Sequence, residues 1–509
     1  MTRIIDKHVL ASLNDSHLTA FGELAVAEKT PQVQAKFAQG LNEDLVQKLY
    51  NKTGSTVTAA NGLCTMHTAA ATAEAFAQIR TKDVIRYGPG QGMDSKFTAA
   101  FKTGAALSSQ WSGPGDDDEM LGVGYNGTAF GILHRKMGEL EVRDITFTAG
   151  GDGGGGTFTL TLDGTAVTIT VPAAATIADV CALVVAAFDD IFHAGRGWEV
   201  HTDDSKTCTF ISLVAENAGG TFSFADVDSG VTAGTFQQST TVLAGVAPTE
   251  NIIPQADWNI DKMDGNGPSG MTLDPTKLNV FDIQFQYLGA GNLYFAIEDT
   301  ETGRLVPVHM MKHAGTLATP TFKNPTFHIN MIIKTEVGYS GPVLEISTSS
   351  LAGFIEGKES GFGIRHEADA SVATNGTTEV VNLVLHNEEN YNSTRNKVEA
   401  FLDHLTIINE STRSIRVDVY KNCTHLDAGV TLASVDTHSV ILSGAGSGTR
   451  QGGTKLLTVS VTASQSKDLD IQHLGIKMRP TETLAFVVTK STGGTDGSAT
   501  VGASWLERV

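Results

Sequence analysis

Two-residue turn signals recur along this chain, each between runs of alternating apolar and polar residues. Asn61-Gly62, Asn126-Gly127 and Asp163-Gly164 are three of them. Asn-Gly and Asp-Gly supply the positive φ angles of a type I′ hairpin, so each pins two strands side by side in opposite directions. The clearest case is Gly-Tyr-Asn-Gly-Thr-Ala-Phe-Gly-Ile-Leu-His-Arg at residues 124–135, which alternates as a half-buried strand pair requires. A chain punctuated in this way is steered toward antiparallel sheets. Gly is 54 of 509 residues and Pro only 13, a balance that favours short strands and tight turns over long helices.

The length of 509 residues allows about three or four domains. Apolar residues make up 41%, enough for a core in each. The net charge of −20, with no basic run, argues against a nucleic-acid partner, because phosphate contacts need clustered Lys and Arg. Residues 1–10 carry no apolar segment before a cleavage site, so no signal peptide is expected. The most apolar stretch, residues 171–188, is Ala-rich and contains Asp179; it reads as a soluble helix, and no membrane insertion is expected. Cys64, Cys181, Cys208 and Cys423 are far apart and form no CxxC, so buried free thiols and folding in a reducing cytoplasm are expected.

Residues 1–50 read as a helical N-terminal arm. Ala25, Val26 and Lys29 lead to Pro31, and Val33, Phe37 and Leu41 continue an i, i+4, i+8 stripe. Such a helix is marginal alone in water, so Val33, Phe37 and Leu41 are the expected assembly residues. Residues 51–149 and 248–357 read as two parts of one β-sandwich, with a strand over residues 96–103 that sets Phe97 and Phe101 on one face. Between them, residues 150–247 read as an inserted α+β module of ββαββ type. It opens on a glycine-rich hinge at 150–156 and includes an amphipathic helix with Ile177, Val180, Val184 and Phe188 on one face. A C-terminal β-sandwich fills residues 358–509. The expected fold class is therefore mainly β: multi-domain β-sandwiches or jelly rolls, a small inserted α+β domain and a helical arm.

Residues 124–135 resemble a segment of structural proteins from tailed-phage and large DNA virus particles. Residues 86–92 and 97–101 resemble the preceding strands of that family. Residues 265–270, Leu273-Asp274, residues 284–289 and Val308-His309 resemble its second half. Asn396-Lys397-Val398, residues 471–474, residues 479–484 and residues 504–507 resemble its C-terminal pattern, with Thr481 where the family usually carries Gly. The resemblance spans about three quarters of the chain, and the order of the motifs is its specific part. It implies a virion component with a lectin-like jelly roll and a C-terminal β-sandwich, of fibre, spike or capsid-decoration type.

Few residues call for chemistry. Residues 122–127 match GxGxxG, but a dinucleotide site must open a helix, and here a strand follows. Asp116, Asp117, Asp118 and Glu119 could offer oxygens to a hard cation; four acids in a row cannot all point at one ion, and a solvated loop is the preferred reading. Asp261, Asp264 and Asn266 are a second candidate of the same kind. Trp111 beside the acidic loop could stack on a sugar, although core packing is preferred for it. His309 and His313 read as packed or partner-bonded rather than metal-ligating. There is no HExxH, GxSxG or Walker A pattern, and no cofactor is expected.

The expected function is that of a nonenzymatic virion structural protein, made in the host cytoplasm. Its partners would be its own copies, with a trimer favoured, other capsid or tail proteins, and a host surface glycan. One alternative is a receptor-binding lectin for host glycans. Another is a tailspike depolymerase, which would need two carboxylates about 5 Å or about 6.5–9.5 Å apart.

Overall fold

A computed structural model describes residues 28–151, 153–162, 165–188, 192–193, 196–203, 205–216, 223–226, 240–358, 363–373, 378–426, 430–446, 448–491 and 497–508. The protein is mainly β, built of several antiparallel sheets. It divides into two compact units. One takes in the chain up to Glu139, Val214–Glu216 and Val246–Ser360; the other takes in Leu140–Leu213, Asn217–Gly245 and the chain from Gly361 onward.

The first unit packs a nine-stranded sheet against a seven-stranded one around a single core. In the nine-stranded sheet, Met93–Phe101 pairs with both Asn279–Phe285 and Ser350–Glu356. In the seven-stranded sheet, Ile329–Thr335 lies between Ser108–Pro114 and Phe76–Thr81, and Thr249–Pro254 closes the edge on Ala129–Lys136. Each sheet therefore combines strands from before and after the inserted stretch. Strand alternation puts Met93, Phe97, Ala99 and Phe101 into the core. Phe97 stacks on Phe281 at 5.7 Å, and Phe101 meets Phe130 edge-on at 5.6 Å. Offset and edge-on aromatic pairs of this kind add about 0.5–1.5 kcal/mol each beyond burial.

The helical arm is corrected. Residues 1–27 lie outside the described residues, and Lys29–Lys36 is a strand, paired antiparallel with Ser350–Glu356 and bulged between Pro31 and Val33. Val33, Ala35 and Phe37 are buried in the unit's own core, with Leu41 packed beside them. Residues four apart share a face in a strand as well as in a helix, so the stripe could not separate the two. The intervening Ala35, also buried, gives the period of two. Val33 and Phe37 are thus covered by their own chain and offer no face for assembly.

The hairpin at residue 126 is shifted by one position. Asn126 pairs with Ala129, so the two loop residues are Gly127 and Thr128. Gly127 has φ +57, while neither Asn126 nor Thr128 has a positive φ. A positive φ at the first loop position alone is the type II′ pattern. Asn61 and Gly62, with φ 55 and 82, do form the expected doubly positive loop. A Cβ on Gly127 would meet nothing within 4 Å. Gly127→Val should therefore cost backbone strain alone, roughly 1–3 kcal/mol, measurable by urea unfolding.

In the second unit, the inserted part builds two small sheets around one helix. Val142–Thr146 lies between Thr207–Ser212 and Thr240–Leu243, and Gly156–Leu162 lies between Thr165–Val171 and Ser223–Asp226. The helix Ile177–Phe188 starts with a reciprocal cap: Thr176 Oγ1 accepts the Asp179 amide at 3.2 Å, and Asp179 Oδ2 accepts the Thr176 amide at 2.8 Å. Its Val180, Val184 and Phe188 pack with Phe158, Leu160, Trp198 and Phe210. Val142–Thr146, which precedes the glycine-rich run, belongs to these sheets. That run is not a free hinge at its start, because a Cβ on Gly150 would lie 2.0 Å from the Ala175 carbonyl. Asp163-Gly164 lies outside the described residues.

The C-terminal part of this unit pairs Ser498–Arg508 with Ile364–Ala373 and Glu399–Asn409 in one sheet. Val380–Asn387 and Ile415–Lys421 flank Thr483–Lys490 in another. Trp505, Phe486, Leu405 and Val417 share the core. Thr481 holds φ +73 in the turn after Pro480, a type II position that favours glycine. A β-branched residue is strained there. Thr481→Gly should stabilise by a net of about 1 kcal/mol, after the entropy glycine adds to the unfolded chain; thermal melting checks it.

Candidate functional site

The acidic run lies between two neighbouring strands of the seven-stranded sheet, Ser108–Pro114 and Met120–Asn126. Gly115 bridges to Met120, and the Asp116 amide donates to the Glu119 carbonyl at 2.7 Å. The loop can close this tightly because residue 115 is glycine at φ +133; a Cβ there would lie 2.3 Å from the Glu119 carbonyl.

The expected solvated loop is corrected. Asp116, Asp117 and Asp118 are each 4% exposed and Glu119 is 2% exposed. Charges this deeply buried must be paired. Arg80 Nη1 donates to Asp116 Oδ2 at 2.5 Å. Asp117 Oδ1 accepts Arg135 Nη1 at 2.8 Å and also pairs with Lys334, while its Oδ2 accepts the Ala215 amide at 3.0 Å. Asp118 Oδ1 accepts the Glu119 amide at 2.9 Å. Glu119 accepts three backbone amides, from Met137, Lys323 and Asn324. Arg135 also holds Glu250 through Nε at 2.8 Å and Nη2 at 2.6 Å.

The cations come from three strands. Arg80 is on Phe76–Thr81, Arg135 on Ala129–Lys136 and Lys334 on Ile329–Thr335. Burial works to raise the Asp117 carboxyl, but the Lys334 and Arg135 charges outweigh it and hold the group below the usual carboxylate range. The carboxylates thus serve as internal counter-charges and as acceptors that shape the loop. The Ala215 contact ties residues 214–216, from within the inserted stretch, to the same loop.

Trp111 is opposite Ile332 and Gly124 on this sheet and is 2% exposed. Its ring has no free face for a sugar. Asp261, 1% exposed, accepts the Met263 and Ser269 amides at 2.8 Å each, and Asp264 accepts the Asn266 amide at 2.9 Å. These are turn-forming bonds within one loop. His309 Nδ1 accepts the Asn259 amide at 3.2 Å. His313 packs instead beside His134, with ring centroids 5.4 Å apart. Among the described residues, no group of three His, Cys, Asp or Glu side chains is placed to hold a metal.

Sequence reasoning missed Arg80, Arg135, Lys334 and His134. A local signal existed at Lys334, which follows Met331-Ile332-Ile333, and a buried cation requires a counter-charge somewhere in the chain.

No family model matches the chain, and no curated protein matches it. Among solved structures, it is similar to a glycosyl hydrolase family protein from Mycobacterium fortuitum, with TM-score 0.27 and 7% identity over 64% of this chain and 99% of that one. It is similar to the CBM2 module of the evolved Dit of Lactobacillus casei BL23 phage J-1, with TM-score 0.22 and 9% identity over 65% and 100%. It is also similar to the triple jelly roll protein of an archaeal virus turret, with TM-score 0.16 and 9% identity over 94% and 96%. Likeness at these scores carries no argument about what the chain does.

Proposed function

We propose that this chain is a nonenzymatic structural component of a virus particle, of fibre, spike or capsid-decoration type, assembling as a homo-oligomer with a trimer favoured. The observation that carries the reading is the pairing of the acidic run. Asp116, Asp117 and Glu119 are buried against cations and backbone amides of the same chain, and Trp111 is in the core, so the best sequence candidates for a glycan or ion site act as scaffold. A structural role asks for many rigid strands and internal cross-ties. The thiols fit manufacture in a reducing host cytoplasm: Cys64, Cys181, Cys208 and Cys423 are free and buried, and burial pushes the Cys64 thiol up to about 12, which keeps it inert. The ordered resemblance to particle proteins supports the same reading.

Because Val33 and Phe37 are covered internally, the assembly surface is assigned to the sandwich exteriors. Light scattering on the purified chain tests the proposal. A mass that is a multiple of 53.7 kDa, three-fold first, is expected. A monomer at every concentration would overturn the assembly, and release of oligosaccharide from host polysaccharide would overturn the reading in favour of a depolymerase.

A further inference from the structure

The nine-stranded sheet carries a second charged group, on the side facing away from the core. Asp94 and Lys96 alternate with the core residues Met93 and Phe97 on Met93–Phe101. The register sets Asp282 of Asn279–Phe285 opposite Lys96, and Gln284 opposite Asp94. Lys96 Nζ lies 2.9 Å from Asp282 Oδ2 and 3.1 Å from Asp94 Oδ2. Lys29 pairs with Asp94 as well, and Gln284 Nε2 donates to Asp282 Oδ2 at 2.7 Å.

Both carboxyls are buried, Asp94 at 2% and Asp282 at 1% exposure. In each, Oδ1 receives no N–H or O–H donor, yet the two carboxyl groups are hydrogen-bond neighbours. A proton on either carboxyl can be shared between the two groups. Burial, and next the Asp94 charge, push Asp282 well above the usual carboxylate range. Burial also opposes ionisation of Asp94, but the bond from Asp282 and the charges of Lys96 and Lys29 hold it below that range. Of the two, Asp282 keeps a proton the more readily and Asp94 gives it up the more readily. Two lysines in contact with the pair exclude a cation site.

We propose that Lys96 and Asp282 become joined by an isopeptide bond, with Asp94 as the proton acceptor. The Lys96 ammonium gives one proton to the Asp94 carboxylate. The freed amine attacks Cγ of the Asp282 carboxyl. The C–N bond forms, the C–OH bond breaks, and the hydroxyl leaves as water with a second proton from the nitrogen. An ammonium, a carboxylic acid and a carboxylate thus become an amide, a water and a carboxylic acid, with no oxidant or reductant. Burial works to lower the Lys96 ammonium, but its contacts with the Asp282 and Asp94 carboxyls hold it above its ordinary value, so a slow first proton transfer is expected. Lys29 pairs with Asp94, the more readily ionised of the two carboxyls and so the poorer electrophile, and lies opposite Glu356 in the strand register. Lys334 likewise faces the ionised Asp117.

The bond would join strands that lie on either side of the inserted stretch and so lock the two halves of the discontinuous sheet. All four cysteines are free, so no disulfide does this. The inference stands apart from the virion reading.

Intact-mass measurement on the denatured full chain, after prolonged incubation of the folded protein, tests it. The expected mass is lower than the sequence mass by one water, and a tryptic digest should contain one branched peptide carrying Lys96 and Asp282. Lys96→Arg should restore the full mass. A parent mass equal to the sequence mass would overturn the proposal. So would a one-water deficit that persists in Lys96→Arg, which points to cyclisation at an Asp-Gly step such as Asp264-Gly265. Asp94→Asn should slow or abolish the deficit; bond formation at the parent's rate would remove Asp94 from the step.

Discussion

Asp117→Ala should destabilise the first unit by roughly 3–5 kcal/mol. The cost comes from what is left behind rather than from the attraction lost. Arg135 is 6% exposed and an arginine stays charged, so the variant buries a guanidinium with Glu250 as its remaining close counter-charge. Lys334 loses its Asp117 contact, and the Ala215 amide loses its acceptor. Asp117→Asn keeps the shape and one acceptor oxygen and should fall between the parent and the alanine variant. Asp264→Asn, in an exposed turn, should stay within about 0.5 kcal/mol of the parent. Urea unfolding measures all three, and an unchanged slope shows that stability alone has moved. The pH dependence follows in sign. The folded pKa of Asp117 is lowered, so its contribution is complete above the ordinary carboxylate value and is lost as pH falls through the folded value.

Acid should weaken the same unit earlier than that, through His134. Burial, then His313 and Lys136, push this imidazole down to about 3. An unfolded histidine binds its proton near about 6.5. Between those values the unfolded chain holds a proton that the folded chain refuses. Stability should therefore fall as pH falls through that window, at up to about 1.4 kcal/mol per pH unit, and level off outside it. His313 is lowered as well, chiefly by burial, and adds in the same direction. His134→Phe places a ring where the histidine already meets Phe322 at 5.3 Å and removes the titrating group. Its unfolding midpoint should vary less with pH than the parent's across the window. Identical profiles would show that His134 titrates freely in the folded state.

Much of the fold was legible because period-two alternation is a local property. The strand expected over residues 96–103 is Met93–Phe101, which starts and ends earlier; Phe97 and Phe101 share a face as anticipated, and both are buried. The resembling family usually carries Gly at position 481, so Thr481 put the turn type there in doubt; Thr481 holds the positive φ that a glycine would. The misreadings have physical causes. The Val33–Phe37 spacing fits two periodicities, and only Ala35 tells them apart. Asn126-Gly127 signals a turn, but the strand register decides which two residues occupy the loop. The acidic run was misjudged because its partners are distant: Arg80 is 36 residues from Asp116, and Lys334 is 217 from Asp117. Nothing within the run itself distinguishes a solvated loop from a buried one. The Lys96, Asp94 and Asp282 group was invisible for the same reason, since cross-strand register brings Asp282 to Lys96.

Whether residues 116–119 act as internal counter-charge or as a ligand site is tested most directly by calorimetric titration of calcium into the intact protein, with the unfolding midpoint recorded in calcium and in chelator. Carboxylates already held by Arg80, Arg135, Lys334 and backbone amides should give no saturable heat and the same midpoint in both solutions. Saturable calcium binding that raises the midpoint and disappears in Asp118→Asn would contradict this and restore the run as a binding site.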